Sequence, residues 1–261
     1  MRIPLAVWPA ILISAALACN GDLTAPRTEV FNWRGTVDPD DHIEIKGIVG
    51  AITATPTPGS DVVVRATKRG VRQDPATVRI DVVQHAAGVT ICAVYPDVPG
   101  QPPNECQPGL AGSMSVSDND VEVEFDVGVP AGVNFVGRNV TGAITATGIA
   151  GEAFATTVTG AVVLAAGLAD ATVVTGPITA TVGRADWGRD LSFTTVTGSV
   201  TVQVPTATNA NADLATVTGT LASDFPLSQP SPQHWSGTIG GGGPTLRLTT
   251  VTGNVRLRRG P

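Results

Sequence analysis

The chain has 261 residues, 15% charged and 4% aromatic, with a formal net charge of −6 at pH 7. Sparse, net-acidic charge argues against nucleic-acid binding, which needs a clustered basic face. The length allows one or two domains, and plentiful Gly, Thr and Val with no long helical period place the mature chain among all-β proteins.

Residues 1–19 read as an export signal. Arg2 gives the positive charge, Ile3 to Leu17 is mostly apolar, and Ala16-Leu17-Ala18-Cys19 closes the segment. The apolar run is short for a membrane span and is broken by Pro4 and Pro9. It resembles a bacterial lipoprotein signal, in which Ala18 permits cleavage and Cys19 becomes the lipidated N-terminus. Alanine at position 16 departs from the usual leucine, and an ordinary secretory signal is the alternative. Residues 20–28 then form a tether to the membrane.

Residues 29–139 mix two patterns. Ile48-Val49-Gly50-Ala51-Ile52-Thr53-Ala54, with Ile43 and Ile45 before it, parallels a motif repeated later, so a first coil begins near residue 42. Asp61 to Ala66, Val78 to Val83 and Val121 to Val127 alternate as half-buried antiparallel strands do, and predict hairpins that cap or extend the coils. If Cys19 carries lipid, Cys92 and Cys106 remain as a pair. A disulfide between them would close the Pro-rich stretch from Tyr95 to Pro103 in an oxidising compartment.

Residues 140–261 are dominated by Val-Thr-Gly, which occurs six times and ends at Gly142, Gly160, Gly176, Gly198, Gly219 and Gly253. The glycine spacings are 18, 16, 22, 21 and 34 residues. A unit that short cannot bury an apolar face alone and must stack on its neighbours. Apolar positions alternate after the glycine (Ile144, Val162, Ile178, Val200, Leu221, Val255) and before the motif (Phe193 and Leu191, for example). Phe193 and Val196 are three apart, so one flat strand cannot point both at the same core, and the chain is expected to bend between them, with the Thr-Gly pair just past the bend. The expectation is a parallel β-solenoid of about seven coils, roughly 30 Å long at about 4.8 Å per coil. Its motif threonines would form a column whose hydroxyls bond to one another. Arg247, Arg256, Arg258 and Arg259 read as charge protecting an exposed last strand.

Two inserts lengthen coils: Gly183 to Asp190 and Phe225 to Pro244. Loops on a rigid scaffold are where binding concentrates. Trp187, flanked by Arg184 and Arg189, and Trp235 are therefore the candidate binding residues, although a Trp folded over the solenoid flank is the competing reading. Chemistry is otherwise sparse. His42, His85 and His234 stand in unrelated contexts, no set of residues has metal spacing, and Asp118 to Val129 lacks the glycine and glutamate of a calcium loop. No catalytic residue, metal or cofactor is expected.

The Val-Thr-Gly coils, the lipoprotein-like start and the closing Val251-Thr252-Gly253-Asn254-Val255-Arg256-Leu257 resemble the bacterial β-strand-repeat family of unknown function labelled "putative adhesin". The resemblance covers roughly residues 40–258. It implies a location at the cell envelope or surface and no established catalysis, and it supplies no catalytic residues. The expectation is a non-enzymatic, lipid-anchored β-solenoid in adhesion, scaffolding or sensing, held at the membrane by its N-terminal lipid, with an envelope glycan or a surface protein as possible partner. The alternative is a polysaccharide lyase or hydrolase, which would need acidic and basic side chains converging on neighbouring coils.

Overall fold

The computed structural model describes residues 25–260; the signal segment and Cys19 lie outside the described residues. The described chain is all-β. The first strands are β1 (Arg27–Thr36), β2 (His42–Lys46), β3 (Ile52–Pro56), β4 (Asp61–Gly70), β5 (Arg79–His85), β6 (Gly88–Val94) and β7 (Glu122–Val129). Next are β8 (Asn134–Thr141), β9 (Ile144–Thr159), β10 (Val162–Thr175), β11 (Ile178–Val182), β12 (Leu191–Thr197) and β13 (Val200–Val204). The last are β14 (Ala210–Thr218), β15 (Leu221–Ser223), β16 (Ser228–Ser231), β17 (His234–Ile239), β18 (Thr245–Thr252) and β19 (Val255–Arg259). The predicted tether to residue 28 overlaps β1, which starts at Arg27.

The strands form two ladders joined at glycine corners. The first runs β5, β6, β2, β8, the second half of β9, the second half of β10, β12, β18, β14, β17, β16. The second runs β1, β4, β7, β3, the first halves of β9 and β10, then β11, β13, β19, β15. Pairing is parallel through the middle. It is antiparallel in β1–β4–β7, β5–β6 and β14–β17–β16, so the sheet is mixed.

The glycines stand in single file. A Cβ added at Gly142 would strike the Gly50 carbonyl oxygen, one at Gly160 that of Gly142, one at Gly176 that of Gly160, and one at Gly198 that of Gly176. Their positive φ angles, 152° at Gly198 for example, turn the chain from one ladder into the other. The order then departs from the sequence. Gly253 packs on Gly198, and Gly219 packs on Gly253. The last rung, β18–β19, therefore lies between β12–β13 and β14–β15. The long interval between Gly219 and Gly253 makes this possible. Its β16–β17 hairpin covers the outer edge of β14 and returns the chain inside. It also overturns the edge-strand reading of the C-terminal arginines, because β19 is paired on both sides.

The corner differs from expectation in a second way. Leu191, Phe193 and Thr195 are buried while Val196 and Thr197 are both exposed, so alternation runs unbroken as far as Val196 and is lost only at Thr197, beside the glycine. The motif valines point outward: Val140, Val158, Val174, Val196, Val217 and Val251 are all at least 41% exposed. The bend is at the glycine, not between Phe193 and Val196. The motif threonines are exposed as well. The threonines just before the motif, Thr157, Thr195, Thr216 and Thr250, are buried instead, and they bond to backbone. Thr195 donates to the Gly176 carbonyl at 3.1 Å, Thr250 to Gly198 at 2.9 Å, Thr216 to Gly253 at 2.9 Å and Thr157 to Gly142 at 3.3 Å. Asn139 does the same for Gly50 at 2.6 Å. Each corner amide donates to the next rung as well, Gly198 N to Thr252 O at 2.9 Å for example. Bending thus leaves few corner groups unsatisfied.

Inside, columns of apolar side chains fill the space between ladders. Ile144, Val162, Ile178, Val200 and Val255 lie in register and are fully buried. Each such side chain stabilises by about 1.5–3 kcal/mol. Volumes compensate along a column: Phe193 sits between Ala171 and Leu248, and the Phe135 ring covers Gly137. In β7 the acids face outward and Val123, Phe125 and Val127 face inward, as the alternation predicts. Cys92 and Cys106 are joined by a disulfide with Cα atoms 5.6 Å apart. Lys46 Nζ pins the loop beyond it, donating to the carbonyls of Gln107 and Ala111, both at 2.8 Å.

Candidate functional site

Alternate residues of four adjacent strands face outward side by side on the first ladder. β2 presents His42 and Glu44, β8 Val136 and Arg138, β9 Phe154 and Thr156, and β10 Asp170 and Thr172. The β5–β6 turn at His85 and Ala87 and the loop just beyond Cys106, at Pro108 and Gly109, rise beside them, enclosing a groove of about 550 Å³.

Glu44 fixes the wall. It is 1% exposed and accepts three charge-assisted bonds: from Arg138 Nε at 2.6 Å, Thr90 Oγ1 at 2.8 Å and the Gly109 amide at 2.8 Å. Burial works against its charge, but the bonds from Arg138, Gly109 and Thr90 outweigh it and hold the carboxyl below its ordinary range. Since the Thr90 hydroxyl donates to Glu44, His85 Nε2 must donate to Thr90, at 3.0 Å. His85 Nδ1 accepts from the Ala87 amide at 3.3 Å. The His85 ring centroid is 5.5 Å from that of His42. Burial, with a smaller contribution from His85, lowers the His42 pKa against the pull of Glu44.

The residues singled out in the sequence split into two places. Arg184, Trp187 and Arg189 come together with Glu152 around a neighbouring hollow of about 580 Å³. There Arg189 bonds to Glu152 through Nε and Nη2, at 3.1 and 2.8 Å, and to Asp170 through Nη1 at 2.6 Å. It also lies over the Phe154 ring at 4.7 Å. Burial raises the Asp170 pKa despite the bonds from Ser192 and Arg189. Trp187 is 7% exposed and packs into the core, with its indole N–H unpartnered among the described residues. It covers the flank and offers no free face for stacking. Trp235 is elsewhere, on β17 opposite Leu214 and half-buried.

Glu44, Arg138, His42 and His85 were not singled out by the sequence, because strand alternation marks Glu44 and Arg138 only as outward charges. Nothing in their spacing announces the loop that covers Glu44. His234, also thought isolated, bonds to Asp213 at 2.9 Å.

No known protein-family model matches this chain, and no curated protein matches it. Among solved structures it is similar to a "putative cell adhesion protein" from Clostridium sporogenes, with a TM-score of 0.46 and 11% identity over 90% of this chain and 100% of that one. It is similar to a "putative adhesin" from Bacteroides fragilis, with a TM-score of 0.34 and 10% identity over 88% of this chain and 97% of that one. A further "putative adhesin", from Parabacteroides distasonis, aligns with a TM-score of 0.22 and 9% identity over 88% of this chain and 97% of that one.

Proposed function

We propose that this chain is a non-enzymatic β-solenoid lipoprotein, held at the bacterial envelope through Cys19, that binds an envelope glycan or surface protein in the groove beside Glu44. The observation that carries this reading is the preformed wall. Glu44 ties β2, β6, β8 and the loop beyond Cys106 together by short bonds, so the groove keeps its shape without a ligand and little ordering cost falls on binding. The single file of glycines supports a rigid rod of about seven rungs that would carry this groove away from the membrane. Pairing also speaks for binding over catalysis. Glu152 and Asp170, on neighbouring rungs, are both engaged by Arg189, whereas a lyase or hydrolase needs a free acid or base facing its substrate.

The test is a glycan, peptidoglycan and surface-protein array probed with wild type and Thr172→Arg, which fills the groove from an exposed position. Binding by wild type that the variant loses supports the reading. Equal binding by both, or none by wild type, contradicts it. Detergent partitioning of wild type and Cys19→Ala tests the anchor: wild type should enter the detergent phase and the variant should not.

A further inference from the structure

We infer that the groove selects a saccharide bearing a carboxylate, docked on the terminal nitrogens of Arg138. This deepens the binding reading above and rests on it.

Charged groups around the groove are mostly spent. Glu44 has three donors, and Arg189 satisfies Asp170 and Glu152. Arg138 is the exception. Glu44 takes only its Nε, and among the described residues Nη1 and Nη2 have no hydrogen-bond partner. The guanidinium side chain is 29% exposed and lines the groove. A planar fork with one edge used and one edge open fits a second planar oxyanion. The protein contains this arrangement once already, since Arg189 holds Glu152 on one edge and Asp170 on another.

The surroundings say what carries that oxyanion. Next to Arg138 in its column stand Thr156 and Thr172, both exposed, which offer hydroxyls on successive rungs about 4.8 Å apart. In the adjacent column Val136 and Phe154 give an apolar floor. A ring with an apolar face, a hydroxyl rim and one carboxylate matches all three. A small free carboxylate would reach Arg138 alone, and a neutral sugar would leave the fork unpaired.

The experiment is calorimetric titration of the full mature protein with a short oligogalacturonate, its methyl ester and free glutamate. The acid should bind. Methyl esterification should weaken binding roughly ten- to hundredfold, the value of a lost charge-assisted contact, and glutamate should bind more weakly than the oligosaccharide. Arg138→Lys keeps a cation for Glu44 but removes the fork, and should weaken the acid to about the level of the ester. Thr156→Val leaves the ion pair untouched and should weaken both saccharides by a smaller factor, which separates recognition from folding damage. Equal affinity for acid and ester, glutamate binding as tightly as the oligosaccharide, or no binding of the acid would each overturn the inference. If the ester binds as well as the acid and Thr172→Arg abolishes both, the groove is still a glycan site and only its acid selectivity is wrong. An array with no wild-type binding would sink the broader reading as well.

Discussion

The Thr250 hydroxyl bonds to the Gly198 carbonyl at 2.9 Å, although the two residues are 52 apart in sequence. This bond recurs at Gly50, Gly142, Gly176 and Gly253, where a buried Asn or Thr reaches across to the glycine of the neighbouring rung and satisfies the carbonyl exposed by the bend; at Gly160 the matching position is Val173. Thr250→Val keeps the shape and removes the donor, leaving the Gly198 carbonyl without this partner in a dry corner. The expected loss is about 1–3 kcal/mol. Thr252→Val, on the exposed side of the same strand, should stay within about 0.5 kcal/mol of wild type. Urea unfolding of the two variants makes the comparison, and equal effects would contradict the assignment of the inner threonines.

The glycine file makes a second contrast. Gly198→Ala places a methyl against the Gly176 carbonyl at φ 152°, so one rung must shift away from the next. The cost should be about 3 kcal/mol or more, in the range of severe backbone strain. Gly188→Ala has nothing within 4 Å of the added carbon and should leave the unfolding midpoint nearly unchanged.

Much of this architecture is legible in the sequence. Alternation after each glycine gives the buried columns, and the repeated glycine gives the corner. The outward turn of Val196 was not legible, because a valine in a repeat suggests core; alternation continuing through Phe193 and Thr195 puts it outside. Rung order was hidden for another reason. Every rung offers its neighbour the same glycine, threonine and apolar edge, so local complementarity cannot rank β14 against β18 beside β12. The groove was hidden because its wall joins Glu44 to Arg138, 94 residues away, under a loop held by Lys46 and the disulfide. The disulfide itself was readable from cysteine count.

Replacing Cys92 and Cys106 by serine should lower stability by roughly 3 kcal/mol, the loop-closure value for a link of this length. It should also loosen the groove. Gly109 and the carbonyls held by Lys46 lie just beyond Cys106, so hydrogen exchange at Gly109 should accelerate more than at Val136. Uniform exchange across both sites would contradict the pinning role of the disulfide.

Acid should destabilise the protein in two stages. The His42 pKa is depressed by burial, so the unfolded chain binds a proton first as pH falls. Stability present above about pH 6.5 is then lost until His42 itself protonates. The Glu44 pKa is also depressed, so its contribution is present above about pH 4.3 and is lost as the pH falls through its folded value. Denaturant midpoints measured from about pH 7.5 to pH 5 should decline, and His42→Gln should flatten that decline. An unchanged slope would remove His42 as its cause.

The rung order is the central claim, and paired cysteines on the outward column test it most directly. Thr194 is in register with Thr249, and Thr249 with Ala215. Neighbouring strands are about 4.8 Å apart, within reach of a disulfide, and second neighbours at twice that are not. Thr194→Cys with Thr249→Cys, and Thr249→Cys with Ala215→Cys, should each crosslink on mild oxidation and be identified by peptide mass. Thr194→Cys with Ala215→Cys should stay reduced. A bridge between 194 and 215, with none between 194 and 249, would contradict the order of rungs described above.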